Sequence, residues 1–221
     1  MATPKISNIA FSGLFCSGKD YVAEVTGFEC LSVAEPMYAA CRHFFGFCDK
    51  KRADHRSFLQ DCGLLGWGCP EIQPDPLRAA WMIWWFRERA AIELGGEWAA
   101  YNWSEYGKRS DFWIDILLKR NAGKIKCAVT RVAVTNCRFE HEQAPLLKNG
   151  FHQFLVLCSE ETREARNGGP IPKATGENVS ERYARKLALE LPDSRVIWND
   201  ALELMPAGRK YLTVEEFQNS L

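Results

Sequence analysis

Gly13-Leu14-Phe15-Cys16-Ser17-Gly18-Lys19-Asp20 is the stretch on which the reading of the fold turns. It fits the spacing G-x-x-x-x-G-K, a pattern that carries meaning only between a strand and a helix. The flanks supply that context: Lys5 to Ser12 reads as a short buried strand, and Gly18 to about Thr26 as a helix. Gly13 and Gly18 allow backbone angles that a side chain forbids, so successive N–H groups can converge on phosphate oxygens. The helix start adds a positive N-terminal end. Lys19 adds a point charge that can bridge the β and γ phosphates of a nucleoside triphosphate. Ser or Thr usually follows that lysine and touches magnesium through its hydroxyl. Here the residue is Asp20, whose carboxylate can hold magnesium directly or through water.

Working outward, strand-like and helical stretches alternate. Phe28 to Val33 reads as a second strand, followed by a helical stretch through Phe45 and a polar, basic segment from Asp49 to Arg56. Ser57 to Gly63 reads as a helix stopping at its glycine. Gly66 to Asp75 reads as a loop, and Pro76 to about Leu94 as a helix with Trp81, Trp84 and Trp85 near one face, a spacing that favours core. Asp111 to Arg120 is a further helix, Val132 to Thr135 a strand, and Glu140 to Lys148 a helix stopped by Asn149-Gly150. Then come a strand at Gln153 to Cys158 and a helix at Glu160 to Arg166. A Gly/Pro-rich segment from Asn167 to Asn178 follows, with a helix from Val179 to Leu191. A strand from Arg195 to Trp198 and a helix from Thr213 to Asn219 close the chain. Strands separated by helices predict an α/β fold, a parallel sheet covered on both faces.

Composition narrows the function classes. The 221 residues suffice for one domain with an insertion or small lid, and 47% hydrophobic with 25% charged is ordinary for a globular core. Lys plus Arg and Asp plus Glu are 28 each, which gives no support for broad nucleic-acid binding. Nine cysteines, odd in number and without a CxxC pair, predict reduced thiols in a cytosol rather than a disulfide scaffold, and Cys62 and Cys69 lack neighbours at zinc spacing. The run Ala79 to Phe86 is too short to cross a bilayer, so a soluble protein is expected, with no membrane partner.

The loop ending S-G-K-D resembles that of the deoxynucleoside monophosphate kinases encoded by bacteriophages. Further strings occur in the family's order. Leu31-Ser32-Val33-Ala34-Glu35-Pro36 is similar to the end of its second strand, and Phe58-Leu59-Gln60-Asp61-Cys62-Gly63 to its L-Q-x-x-G helix end. Asp111-Phe112-Trp113 resembles its D-x-W helix start. Val134 through Glu142 resembles its D-V-R-F-x-N-E segment. Asn178-Val179-Ser180-Glu181 and Val196-Ile197-Trp198-Asn199-Asp200 resemble its closing S-E and V-I-x-N-D elements. The resemblance implies a single domain over 1–221 with the three-layer P-loop nucleotide-kinase fold. It implies a helical monophosphate-binding arm at about 35–110, a short lid at about 163–180, and transfer of the γ-phosphoryl of ATP, with magnesium, to a deoxynucleoside 5′-monophosphate. A cytosolic location follows, the host cytosol for a phage-encoded chain.

Carried residue by residue, the resemblance puts the triphosphate at Gly13, Cys16, Ser17, Gly18, Lys19, Asp20 and Tyr21, and magnesium at Asp20. The acceptor nucleotide falls to Ala34, Tyr38, Arg42, Arg56, Gln60 and Arg138. Catalytic charge falls to Lys19, Arg138, Arg163 and Arg166. Arginine suits this work because its guanidinium grips two oxygens at once. Arg138 sits just past a strand end, where open α/β sheets place ligands. Arg56, Arg163, Arg166, Arg182 and Arg185 read equally well as exposed ion pairs. Asn136 stands where the family has Asp, Tyr21 where it has Thr, and Tyr38 where a basic residue is common; Arg42, one turn on, can take over from Tyr38. The four histidines read as structural. Two other functions stay open: another small-molecule P-loop kinase, such as one acting on dephospho-coenzyme A, and a nucleotide-binding regulator with little catalysis. The aromatic run from Trp81 to Trp113 is a core helix, a substrate wall or the face of a homodimer.

Overall fold

The computed structural model describes residues 6, 8–49, 51–67, 75–127, 129–171 and 179–221. The chain divides into two compact units: Val33–Arg120 forms one, and the segments on either side of it, Met1–Ser32 and Asn121–Leu221, form the other. Along the chain, β1 (Asn8–Gly13), α1 (Lys19–Val25) and β2 (Glu29–Leu31) are followed by α2 (Glu35–Phe45), α3 (Ala53–Trp67), α4 (Pro76–Trp84), α5 (Ala90–Glu93) and α6 (Phe112–Arg120). The two-segment unit resumes with α7 (Ala122–Ile125), β3 (Val132–Val134), α8 (Glu140–Lys148), β4 (His152–Leu157) and α9 (Glu160–Asn167). It closes with α10 (Val179–Glu190), β5 (Val196–Trp198), β6 (Leu212–Thr213) and α11 (Val214–Asn219).

Among the described residues the strands form one six-stranded sheet in the order β2-β3-β1-β4-β5-β6, parallel at every pairing. The protein is therefore α/β with an all-parallel sheet. The central strands are apolar on both faces because both are covered, as parallel sheets require. On one face Ile9, Phe11, Phe154, Val156 and Ile197 pack with Val22 and Ala23 of α1 and Phe217 of α11. On the other, Leu155, Leu157, Val196 and Trp198 pack with Tyr183, Ala184 and Leu187 of α10. Phe154 and Leu155 fall on opposite faces, as strand alternation demands. A polar chain also runs between these elements: Gln153 Nε2 donates to Ser12 Oγ at 3.3 Å and Tyr183 OH donates to Gln143 Oε1 at 2.7 Å, while the Gln143 and Gln153 amides bond to each other.

β6 was not expected from sequence; two residues paired parallel to β5 leave no pattern to read. The unit Val33–Arg120 corrects two expectations. The helix expected at 57–63 runs over Ala53–Trp67, and Gly63 is buried within it rather than ending it. Packing outweighs the glycine's low propensity here: the neighbouring Cys62 carbonyl accepts from Tyr106 OH at 3.0 Å. Trp81 and Trp84 are 41% and 52% exposed, whereas Trp85 is buried. The Trp85 N–H still donates to Trp81 O in α-helical fashion, and consecutive residues of an α-helix point about 100° apart, so Trp84 turns outward where Trp85 turns in. A π-helical turn follows at Trp85–Arg89. The aromatic core of this unit is Trp85, Phe86, Trp98, Trp103, Tyr106, Phe112 and Trp113, with the Phe86 and Tyr106 rings stacked at 4.4 Å. Of the loop expected at 66–75, residues 68–74, Cys69 included, lie outside the described residues.

Candidate functional site

β1 is a central strand, and its C-terminal end delivers the chain into the loop Gly13–Gly18 ahead of α1. Gly13 is required by close approach, since a Cβ there would sit 2.4 Å from the Val156 carbonyl oxygen of β4. Gly18 is required twice over. Its φ of 85° is left-handed, and a Cβ would fall 2.2 Å from Asn199 Nδ2. Cys16, at φ 60°, is the one non-glycine residue with positive φ among those described, a conformation that costs energy and persists only where neighbours impose it.

Those neighbours are side chains that grip the loop's carbonyls. Arg163 Nε donates to Phe15 O at 2.9 Å, Arg166 NH1 to Cys16 O at 3.3 Å, and Asn199 Nδ2 to Ser17 O at 2.9 Å. In a trans peptide the C=O of one residue and the N–H of the next point in opposite directions. Gripping the Phe15 and Ser17 carbonyls therefore turns the Cys16 and Gly18 N–H groups away from the grip. Neither of these two amides has a hydrogen-bond partner among the described residues. The Ser17 amide is used within the loop, donating to Leu14 O at 3.1 Å. Helix geometry leaves the first amides of α1, at Lys19 and Asp20, without intrahelical acceptors. The loop and the helix start thus leave the amides of Cys16, Gly18, Lys19 and Asp20 as donors.

Lys19 Nζ donates to the Gly13 and Leu14 carbonyls, each at 3.0 Å. Its pKa is lowered to about 8, first by burial and next by the charge of Arg138, against the pull of the Glu181 and Asp20 carboxylates. That ordering says what the site lacks. Arg138 is close enough for its charge to be felt at Lys19, and the carboxylates within range do not offset burial and Arg138 together. Arg138 follows β3, the neighbour of β1. Its side chain is exposed, without a carboxylate partner among the described residues, while its backbone N–H and that of Phe139 both donate to Glu142 Oε2, at 2.6 and 3.0 Å. Glu142, buried at the start of α8, thus fixes the backbone that presents Arg138.

A cleft of about 680 Å³ opens beside the loop, lined by Gly18, Tyr21, Arg166, Trp198, Asn199 and Asp200 with Thr213, Val214 and Glu215. This lies within the range of about 300–1,000 Å³ usual for small-molecule sites. Burial alone would raise the pKa of Asp200, but hydrogen bonds from Ser159, Thr162 and Ala201 draw it down to about 2. It is a fixed anion there, holding the start of α9 through Ser159 Oγ at 2.6 Å.

Of the residues expected from sequence, the loop, Tyr21, Arg138, Arg163 and Arg166 belong to the two-segment unit. Arg163 is not an exposed ion pair: it is 7% exposed and committed to Phe15 O and to Glu181. Arg166 grips Cys16 O and, at 3.2 Å, Asn199 O. Ala34, Tyr38, Arg42, Arg56 and Gln60 belong to the other unit. Ala34 caps α2, Tyr38 lies on it, and Arg42 is tied to Glu35 of the same helix at 2.8 Å. Arg56 and Gln60 are exposed one turn apart on α3. Residues 172–178 of the expected lid lie outside the described residues; Gly168 closes α9 in left-handed conformation. Sequence reading assigned no role to Asn199 or Glu181, although both sit in strings that carry the family resemblance.

Among the described residues eight cysteines are free, no cluster of three metal-ligating side chains occurs, and no helix is long and apolar enough to cross a membrane. No protein-family model and no curated protein matches this chain.

Proposed function

We propose that the Gly13–Asp20 loop is a phosphate-binding loop and that the chain is a P-loop phosphotransferase. The observation that carries the reading is the pair Lys19 and Arg138. The charge of Arg138 disfavours that of Lys19, the Cys16 and Gly18 amides are unpaired among the described residues, and a polyanion would suit all of them. The sheet order supports it: the loop leaves a central strand at the carboxyl edge, where parallel α/β sheets bind ligands.

More particularly, the chain is a deoxynucleoside monophosphate kinase that takes ATP as donor. The donor's base and ribose fit the cleft beside Tyr21, Trp198 and Thr213. The acceptor assignment rests on the sequence strings resembling the phage kinases, and it assigns the second nucleotide to Ala34, Tyr38, Arg42, Arg56 and Gln60.

In this reading an oxygen of the acceptor phosphate forms a bond to the γ-phosphorus as the bond to the β–γ bridging oxygen breaks. Such a transfer needs alignment and charge neutralisation more than covalent help. Lys19 leaves the Gly13 and Leu14 carbonyls to meet the β and γ oxygens, and Arg138 meets the transferring group. Asp20 is exposed on the first turn of α1, near enough to Lys19 to raise its pKa, and its hard oxygens suit magnesium. Magnesium, when bound there directly or through water, would neutralise charge on the phosphate oxygens.

The test is a coupled assay with ATP, magnesium and each dNMP, NMP and dephospho-coenzyme A in turn. Lys19→Ala is expected to abolish transfer while the fold survives; full activity in that variant would contradict the mechanism.

A further inference from the structure

Phe15 is the third residue of the loop, and its ring is exposed, yet both polar groups of its backbone are held by buried side chains. Its N–H donates to Glu181 Oε1 at 2.6 Å, and its C=O accepts from Arg163 Nε at 2.9 Å. The two side chains also meet each other, Arg163 NH2 lying 3.4 Å from Glu181 Oε2, and they are 7% and 4% exposed. Arg163 comes from α9 and Glu181 from the first turn of α10.

We infer that Arg163 and Glu181 are positioning residues that clamp the Phe15 backbone and so set the shape of the phosphate cradle. This rests on the phosphate-loop reading above. Glu181 takes the Phe15 amide out of the cradle, so the donors available to phosphate begin at Cys16. Arg163 pins the Phe15 carbonyl, and peptide planarity then turns the Cys16 amide away from Arg163. The same grip holds Cys16 in its left-handed conformation, which no glycine is there to accept. A buried ion pair is seldom retained for stability, since apolar residues of the same volume usually serve as well. Here its two ends fit the two ends of one residue's backbone. Arg163 Nε and NH2 and both oxygens of Glu181 are committed within the clamp, whereas the side chain of Arg138 is exposed.

The experiment compares ATP affinity and steady-state constants for the wild-type chain, Arg163→Lys, Glu181→Gln, Glu181→Ala and the paired apolar variant Arg163→Met with Glu181→Leu. The clamp predicts at least tenfold weaker ATP binding in Arg163→Lys and Glu181→Ala, with the acceptor KM unchanged. Glu181→Gln keeps an oxygen for the Phe15 amide but leaves Arg163 without its counter-ion, and is expected to fall between wild type and Glu181→Ala in ATP affinity. The paired variant is expected to melt near the wild-type temperature and still lose tenfold or more in ATP affinity, which separates positioning from folding. Wild-type ATP affinity in whichever of Arg163→Lys, Glu181→Ala and the paired variant fold would overturn the clamp. A wild-type chain that binds no ATP would instead overturn the phosphate-loop reading.

Discussion

Lys19 makes the site's chemistry measurable. Its pKa of about 8 in the free protein reflects burial and then Arg138, and a polyphosphate favours the charged form. ATP binding near pH 8.5 is therefore expected to take up roughly half a proton or more, and affinity falls as pH rises through the lysine's own pKa. Calorimetry in two buffers of different ionisation enthalpy reads this directly; identical heats in both would refute it. The sign for stability follows from the same shift. The unfolded chain holds its lysine proton up to about pH 10, so the Lys19 contribution to folding improves as pH rises from about 8 to about 10 and is unfavourable below. Arg138→Ala should raise the Lys19 pKa, visible in the shift of its ε-carbon during NMR titration. At Gly18 the expectation is steric. Gly18→Ala forces a Cβ against Asn199 at a φ of 85°, costing about 1–3 kcal/mol of stability in a denaturant melt and at least tenfold in ATP affinity.

The elements differ in how far sequence alone discloses them. The helix from Glu140 to Lys148 was expected with the bounds the structure has, because Asn149-Gly150 is a strong stop signal. β1, β3, β4 and β5 were legible as apolar runs, and the loop as a spacing. Their parallel pairing follows from the helices between them. The grip on the loop was not legible, because Arg163, Asn199 and Glu181 reach it from 148 to 182 residues away in the chain. An arginine near glycines reads as a phosphate ligand until burial shows it spent on a carbonyl. The tryptophans misled for a different reason: a spacing of three and four residues ties Trp84 and Trp85 each to Trp81, but the two are themselves about 100° apart on an α-helix, and only Trp85 is on the buried side. The two kinds of tryptophan should separate in melts. Trp103→Ala, at a fully packed site, is expected to cost about 3–5 kcal/mol, and Trp84→Ala, half exposed, to stay within about 0.5 kcal/mol. Equal costs would contradict the burial described.

Taken whole, the chain is electrically balanced, with 28 basic and 28 acidic residues. Duplex DNA at physiological salt is accordingly expected to bind no tighter than about 100 µM, the weak end of non-specific binding; fluorescence anisotropy with a labelled duplex checks this. A helical unit interrupts the sheet-bearing one between Ser32 and Asn121, so the side chains assigned to the acceptor in the proposed function take no part in building the sheet. The most direct measurement is the coupled assay of the purified chain with ATP, magnesium and each deoxynucleoside and ribonucleoside monophosphate in turn. Turnover of at least one deoxynucleoside monophosphate, lost in Lys19→Ala and in Arg138→Ala, is the predicted result. ATP saturating the loop with no monophosphate phosphorylated would contradict it.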